Sequence, residues 1–371
     1  MDISQLNTLT AQVLWAAFIL AALFGAVVQR THFCTMGAVS DIVNMGDWTR
    51  MRVWGMAIGV AMIGFYGLAA AGLIDPAKAV YASNRFVWLS ALVGGLLFGF
   101  GMVLASGCGS KTLVRIGGGN LKSLVVFVVM AVAAFATLKG ITAVLRVGTV
   151  DRVAIDFSGN AALPTWAAGI AGVSPALAGL VLALVLGGGL IVWALAGSGF
   201  RRFDNLLGGL GIGLLIAAMW WLSGHMAYVA EHPETLEETF LATNSGRMEA
   251  LSFVAPMAYT IDWLIFFSDK TKLLTLGVVS VFGVVAGSAL YSLLSRSFRW
   301  EGFRNTEDTA NHLVGAVLMG VGGVTAMGCT IGQGLSGIST LSATSFVAVT
   351  AIIAGAVAGL KYQVWRLEHS V

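Results

Sequence analysis

Apolar runs of about twenty residues, separated by short polar or glycine-rich gaps, follow one another along the whole chain. A helix needs roughly 17–25 apolar residues to cross a bilayer core. Nine stretches have that length: 12–29, 50–73, 86–106, 121–146, 174–197, 204–223, 272–295, 310–328 and 344–366. Four further segments, at 31–46, 108–117, 250–267 and 329–340, are too short or too polar to cross. Backbone of that kind survives at membrane depth only where protein buries it or where it lines a wet cavity, so the four are read as re-entrant helices. The pattern predicts an all-α polytopic membrane protein with about nine transmembrane helices and four short re-entrant ones.

The pattern also repeats. Aligning the chain with itself at an offset of 221 places Cys108 on Cys329, and eight of the fifteen positions in 94–108 match those in 315–329. Composition alone gives roughly one such match, so this is an internal repeat. The same offset lays Met36 on Met257 and Asp41 on Asp262, but Cys34 on Ala255. The first repeat is assigned to 12–146 and the second to 204–366, with the span at 174–197 as a linking helix. Five spans separate the starts of the two halves. That odd number predicts inverted topology.

Composition supports one embedded body. Of 371 residues, 57% are hydrophobic and 11% charged, and the mean hydropathy is +0.87. A net charge of +3 with no basic stripe excludes a nucleic-acid partner; the lipid bilayer is the partner implied. The start "MDISQLNTLT" has no basic region and no cleavage site follows it, so the first helix is read as retained. Loops on one side carry thirteen Lys and Arg against eight on the other. The positive-inside rule then puts the N-terminus outside and the C-terminus in the cytoplasm.

Three cysteines, Cys34, Cys108 and Cys329, are too few for a disulfide framework. No spacing suits a metal, and no cofactor motif appears. His225 and His232 are placed in an acidic, Pro-containing surface loop. All three cysteines fall in the irregular segments, two of them at one repeat position within "GCGSKT" and "GCTIGQG". The glycines there, Gly107, Gly109 and Gly328, permit sharp turns. The turns reopen as short helices whose first amides, around Gly107–Ser110 and Gly328–Ile331, can receive an anion. Thr330, Gln333 and Lys111 flank these sites.

A buried thiol stays neutral, and neutral S–H is a weak, soft donor. Three such contacts in series would hold a soft anion lightly and release it, as conduction requires. A sulfur-bearing anion suits them better than chloride or phosphate. The bland alternative is that buried cysteine serves as a small hydrophobe. Arg30 and Arg115 are read as cytoplasmic-edge anchors. Asp41 and Asp262 could carry protons, although helix capping accounts better for "SD" at 40–41. His32 has no third partner to make a nucleophile of Cys34.

At these residues the chain resembles the YeeE/YedE family of bacterial inner-membrane proteins, which includes thiosulfate uptake transporters. The likeness spans nearly the whole chain and rests on "QRTHFC" at 29–34, "GCGSKTLVRIGGG" at 107–119 and "GAVLMGVGGVTAMGCTIGQG" at 315–334. It implies an hourglass-shaped helical body in a bacterial cytoplasmic membrane. It further implies that Cys34, Cys108 and Cys329 pass thiosulfate inward by S–H···S hydrogen bonds without covalent capture. A small cytoplasmic sulfur-carrier protein is the implied partner. Lys111 departs from the small residue, and Gln333 from the asparagine, expected of thiosulfate transporters. The same fold with a selenium or other sulfur cargo is therefore the first alternative. A membrane thiol-redox or sulfur-transfer enzyme is the second, and it would need an activated thiolate that the two apolar Gly-Cys turns do not suggest.

Overall fold

The computed structural model describes residues 2–369. Helix α1 (Ile3–Thr31) is followed by a short α2 (Thr35–Met45) and a returning α3 (Thr49–Ala70). Next come α4 (Trp88–Leu104), a short α5 (Gly109–Gly117), α6 (Leu121–Lys139) and α7 (Ile141–Gly148). After α8 (Leu163–Ala171), α9 (Pro175–Leu182) and α10 (Gly188–Leu195) form one helix joined by a π turn. Then α11 (Phe203–Leu206) and α12 (Ile212–Trp221) form another, which π turns carry on to Met226. The set closes with α13 (Val254–Ile265), α14 (Leu276–Leu294), α15 (Thr306–Thr325) and α16 (Ala343–His369). Among the described residues, strand pairing amounts to two minimal antiparallel pairs, β1 (Arg85–Phe86) with β2 (Ile155–Asp156) and β3 (Tyr228–Val229) with β4 (Thr239–Phe240), and three isolated bridges.

Local chemistry sets the helix starts. Asn120 Oδ1 accepts the Ser123 amide at 2.9 Å to open α6, and Asn305 Oδ1 accepts the Asp308 amide at 2.8 Å to open α15. Among the described residues, eight helical stretches are long and apolar enough to cross a membrane. The stretch expected at 310–328 is α15, whose first turn carries Glu307 and Asp308 beside the dipole's positive end. Those charges lower its apolarity without shortening it. Outward-facing Val192, Leu214 and Leu290 stay exposed, as side chains turned toward lipid must.

Three features differ from the sequence expectation. The span expected at 121–146 is two helices, because Gly140 (φ −107°, ψ −153°) breaks the chain between α6 and α7. Helix α8 was not foreseen; its apolar residues merge with the next run, and Gly172 in the left-handed region separates them. His225 does not lie in a loop but closes the π turn after α12.

The centre of the body is the crossing of α4 and α15. A Cβ added at Gly101 would lie 2.8 Å from the Gly315 carbonyl oxygen, and one at Gly315 would lie 2.6 Å from that of Gly101. Seven residues away on each helix, Gly94 and Gly322 meet in the same way, at 2.7 and 2.6 Å. The two helices run antiparallel, and glycine lets their backbones touch. On its outer side α4 packs against α16, as α15 packs against α6.

Candidate functional site

The three cysteines share one local architecture. Each lies two residues after a non-glycine residue in the left-handed region: His32 (φ 53°), Ser106 (φ 56°) and Met327 (φ 55°). Each then starts a short helix, its carbonyl accepting the amide four residues on: Ala38, Thr112 or Gln333, at 3.0, 2.9 and 2.8 Å. The reversals before Cys108 and Cys329 match bond for bond. Gly107 N–H donates to the Met102 carbonyl and Gly328 N–H to the Gly323 carbonyl, both at 2.8 Å. This is the Schellman closure, with serine and methionine where glycine is usual.

All three thiols are buried and free. Cys34 Sγ accepts the Gly37 amide and Cys329 Sγ the Gly332 amide, each at 3.4 Å. Cys108 makes no such cap; its sulfur instead meets Ser110 Oγ at 3.3 Å. The first amides of α5, including Gly109 and Ser110, thus keep no side-chain cap, and the positive end of the helix remains available. Phe253 packs beside the start of α5, its Cβ 3.8 Å from where a Cβ on Gly109 would lie.

Two cavities flank this layer. One, of about 320 Å³, is bounded by the end of α6 at Leu138, the start of α14 at Gly277 and the end of α15 at Val324. It reaches Met327, Gly328 and Gln333, with Arg146 and Glu249 in its wall. The other, of about 520 Å³, is bounded by the start of α6 at Lys122, Ser297 beyond the end of α14, and the start of α15 at Asp308. The two therefore open at opposite ends of three helices, and α6 with its 19 residues is about 28 Å long.

The second cavity is basic. Lys111, Arg115, Arg299 and Arg304 line it beside Gln29, His32 and Ser106. Lys122 is ion-paired with Asp308 at 2.9 Å. Among the described residues, Lys111, Arg115, Arg299 and Arg304 make no ion pair, and with Glu301 the one unpaired carboxylate in the lining the cavity keeps a surplus of positive charge. Gly107, Lys111 and Arg115 follow at spacings of four along one face: a Cβ on Gly107 would lie 3.2 Å from Lys111 Cγ and 3.7 Å from an Arg115 guanidinium nitrogen. Arg115 thus lines a cavity instead of only anchoring an edge.

Other candidates have structural ties. Gln333 is fully buried, its Nε2 donating to the Ala326 carbonyl at 2.7 Å and its Oε1 accepting from Ser345 Oγ at 2.6 Å. Ile331 is buried in the core, and Thr330 is buried with an unpartnered hydroxyl. Neither Asp41 nor Asp262 caps a helix. Cys34 holds the N-cap of α2, while Asp41 lies inside that helix and pairs with Arg50 at 3.2 Å. Its repeat mate Asp262 pairs with Lys272 at 2.6 Å. His32 is placed in the second cavity, and the Cys34 sulfur bonds to Gly37.

Such an assembly, a helical body with eight membrane-length apolar stretches and short helices that begin at buried cysteines, defines an all-α polytopic membrane protein. The family model for sulphur transport matches residues 30–358, and the chain belongs to that family. It is 28% identical over 351 residues to the thiosulfate transporter TsuA of Escherichia coli (strain K12), covering 92% of each chain. It is 25% identical over 358 residues to the thiosulfate transporter TsuA of Spirochaeta thermophila, covering 92% of this chain and 97% of that one. A shorter likeness, 31% over 96 residues, links 25% of this chain to 21% of the probable transporter YedE of Salmonella typhimurium. A sulfur-transport role in a membrane follows from this membership.

Proposed function

We propose that this protein imports a small sulfur-containing anion, most plainly thiosulfate, across a bacterial inner membrane, and that it is not an enzyme. The observation that carries the reading is three buried, free thiols at helix starts, each preceded within two residues by one that lines a cavity: Gly328 in the first, His32 and Ser106 in the second, the two cavities opening at opposite ends of α6, α14 and α15. In this reading Cys329 receives the anion from the first cavity, Cys108 passes it on and Cys34 delivers it toward the basic second cavity. Neutral S–H donors and the uncapped amides of α5 hold it without covalent capture. Gly107, Gly109 and Gly328 shape the turns, and Ser110 orients the middle thiol.

Two inverted halves, 12–146 and 204–366, with 174–197 as the linking helix, form the scaffold. The antiparallel contact of Gly94 with Gly322 and of Gly101 with Gly315 supports this, since the repeat offset maps each member of one pair onto a member of the other. The basic second cavity is assigned to the cytoplasmic side, where a sulfur-carrier protein would collect the cargo. Both TsuA relatives carry thiosulfate in their names. The unpaired Lys111 favours keeping a second cargo, another sulfur or a selenium anion, as the competing substrate.

The test is uptake of labelled thiosulfate by cells lacking their own sulfate and thiosulfate import, comparing wild type with Cys108→Ser and Cys329→Ser at matched expression. Uptake that collapses in both variants supports the relay. Absence of uptake in well-expressed wild type moves the assignment to another cargo. Full uptake by both serine variants removes the thiols from the mechanism.

A further inference from the structure

Buried polar groups in folded proteins are almost always hydrogen-bonded, and the exceptions call for an explanation. Among the described residues, five buried side-chain atoms lack a hydrogen-bond partner: Thr35 Oγ1, Trp54 Nε1, Arg146 Nε, Ser280 Oγ and Thr330 Oγ1. Their places are not scattered. Thr35 directly follows Cys34, and Thr330 directly follows Cys329. Trp54 stacks on Phe33, the neighbour of Cys34, at 4.8 Å, and its ring lies 3.0 Å from where a Cβ on Gly334 would stand in the helix begun by Cys329. Ser280 and Arg146 line the first cavity, and Arg146 also approaches Asp151 at 3.5 Å.

Every one of these atoms carries a hydrogen to donate. Thr35, Trp54 and Thr330 are 8%, 5% and 2% exposed, so bulk water does not satisfy them. Cys108 has a hydroxyl companion too, since Ser110 Oγ lies 3.3 Å from its sulfur. Each thiol is thus accompanied by a hydroxyl, a soft donor beside a hard one.

We infer that Thr35 and Thr330, with the Trp54 indole N–H, bind the oxygen atoms of the cargo, which makes the cargo an oxyanion and not an oxygen-free sulfide. This rests on the transport reading above. It deepens that reading by assigning two ends to the ligand, oxygens to the hydroxyl and indole donors and sulfur to the thiols. A site built to hydrogen-bond a ligand's polar group discriminates strongly against analogues that lack it. Ser280 supplies the first hydroxyl met on the way in.

The test uses the purified full-length protein and Thr35→Val and Thr330→Val, which remove a donor while keeping shape, with Trp54→Phe, which removes the indole donor and leaves a smaller ring. Thiosulfate, sulfite, selenite and hydrosulfide are titrated while affinity and thermal midpoint are recorded. The expected result is at least tenfold weaker binding of the oxyanions in each variant, with thermal midpoints of the unliganded threonine variants equal to or above wild type and that of Trp54→Phe lowered by the void it leaves. Thr330→Ser, which restores the hydroxyl, should bind as wild type. Unchanged oxyanion affinity in all three variants overturns the inference, as does wild type that binds hydrosulfide but no oxyanion. Should wild type bind selenite but not thiosulfate, and lose selenite in the variants, the thiosulfate assignment falls while the donor assignment stands.

Discussion

Ser106 and Met327, 221 positions apart in sequence, hold the same left-handed backbone, φ 56° and 55°, two residues before a cysteine. A side chain in that region costs about 1–2 kcal/mol relative to ordinary helical backbone. The strain lies at the two turns that bring α4 and α15 to their cysteines, where glycine is available to either turn one residue later at Gly107 and Gly328.

Ser106→Gly and Met327→Gly should therefore stabilise the fold. Relief of the strain is offset by about 0.5–1 kcal/mol of extra chain entropy in the unfolded state, leaving a small net gain. The thermal midpoint in detergent is expected to rise slightly for each variant. Ser106→Val, which puts a β-branched residue at the same backbone angles, should lower it. A fall in midpoint for both glycine variants would contradict the strain assignment.

The closeness of α4 and α15 makes a second expectation. A Cβ at Gly101 would stand 2.8 Å from both the Gly315 oxygen and Leu318 Cβ. Backbone cannot yield as a flexible side chain can, so Gly101→Ala should destabilise by about 1–3 kcal/mol. Gly67, with nothing near its added Cβ, is the control: Gly67→Ala should leave the midpoint unchanged or raise it. The comparison is a thermal-unfolding measurement on the three purified proteins.

How much of this was legible beforehand follows from what each signal needs. Span lengths, the repeat and the position of all four short helices come from hydropathy and self-alignment, which are local or linear properties. The break at Gly140 did not announce itself, because a glycine among apolar residues is tolerated in a helix as readily as it ends one. The three left-handed residues escaped notice for a related reason: His32, Ser106 and Met327 are not residue types that mark turns of this hand. Asp41 and Asp262 were visible as repeat mates, but their partners Arg50 and Lys272 are nine and ten residues ahead, a spacing set by the reversal after each short helix. Orphan hydroxyls such as that of Thr330 exist only as a property of packing.

The basic cavity should steer and hold anions. Lys111 and Arg115 face it from one side of α5 without ion-pair partners. Lys111→Ala is expected to weaken thiosulfate binding to the purified protein several-fold, and the double variant with Arg115→Ala more so, with a weaker dependence of that binding on ionic strength. Lys111→Ser should change the order in which sulfite, selenite and thiosulfate compete. Wild-type affinity and salt dependence of binding in the double variant would remove this cavity from the route.

A pH dependence enters through Glu249 in the wall of the first cavity. Burial pushes its carboxyl up to about 7 from an ordinary 4.5. The folded state therefore prefers the neutral acid. This group's contribution to stability is greatest below its ordinary value and is lost as pH rises toward and through the folded one. Ionised, it also repels an anion entering the cavity. Uptake is expected to increase as pH falls through about 7, and Glu249→Gln should flatten that profile at the high, acid-side rate. A profile unchanged by Glu249→Gln would assign the pH dependence elsewhere.

The paired acids allow the sharpest separation of two roles. A proton carrier at Asp262 would have to release its charge during each cycle, whereas an ion pair with Lys272, the carboxylate only 9% exposed, holds the charge in place. Removing one member of a largely buried pair leaves the other uncompensated and destabilises strongly, while removing both is far milder. Asp262→Asn alone should therefore lower the thermal midpoint, and the further change Lys272→Met should restore most of it. Uptake should follow the amount of folded protein in each case. If Asp262→Asn instead keeps wild-type stability and abolishes uptake, and Lys272→Met does not rescue it, then Asp262 carries a proton and the pairing is incidental to its role.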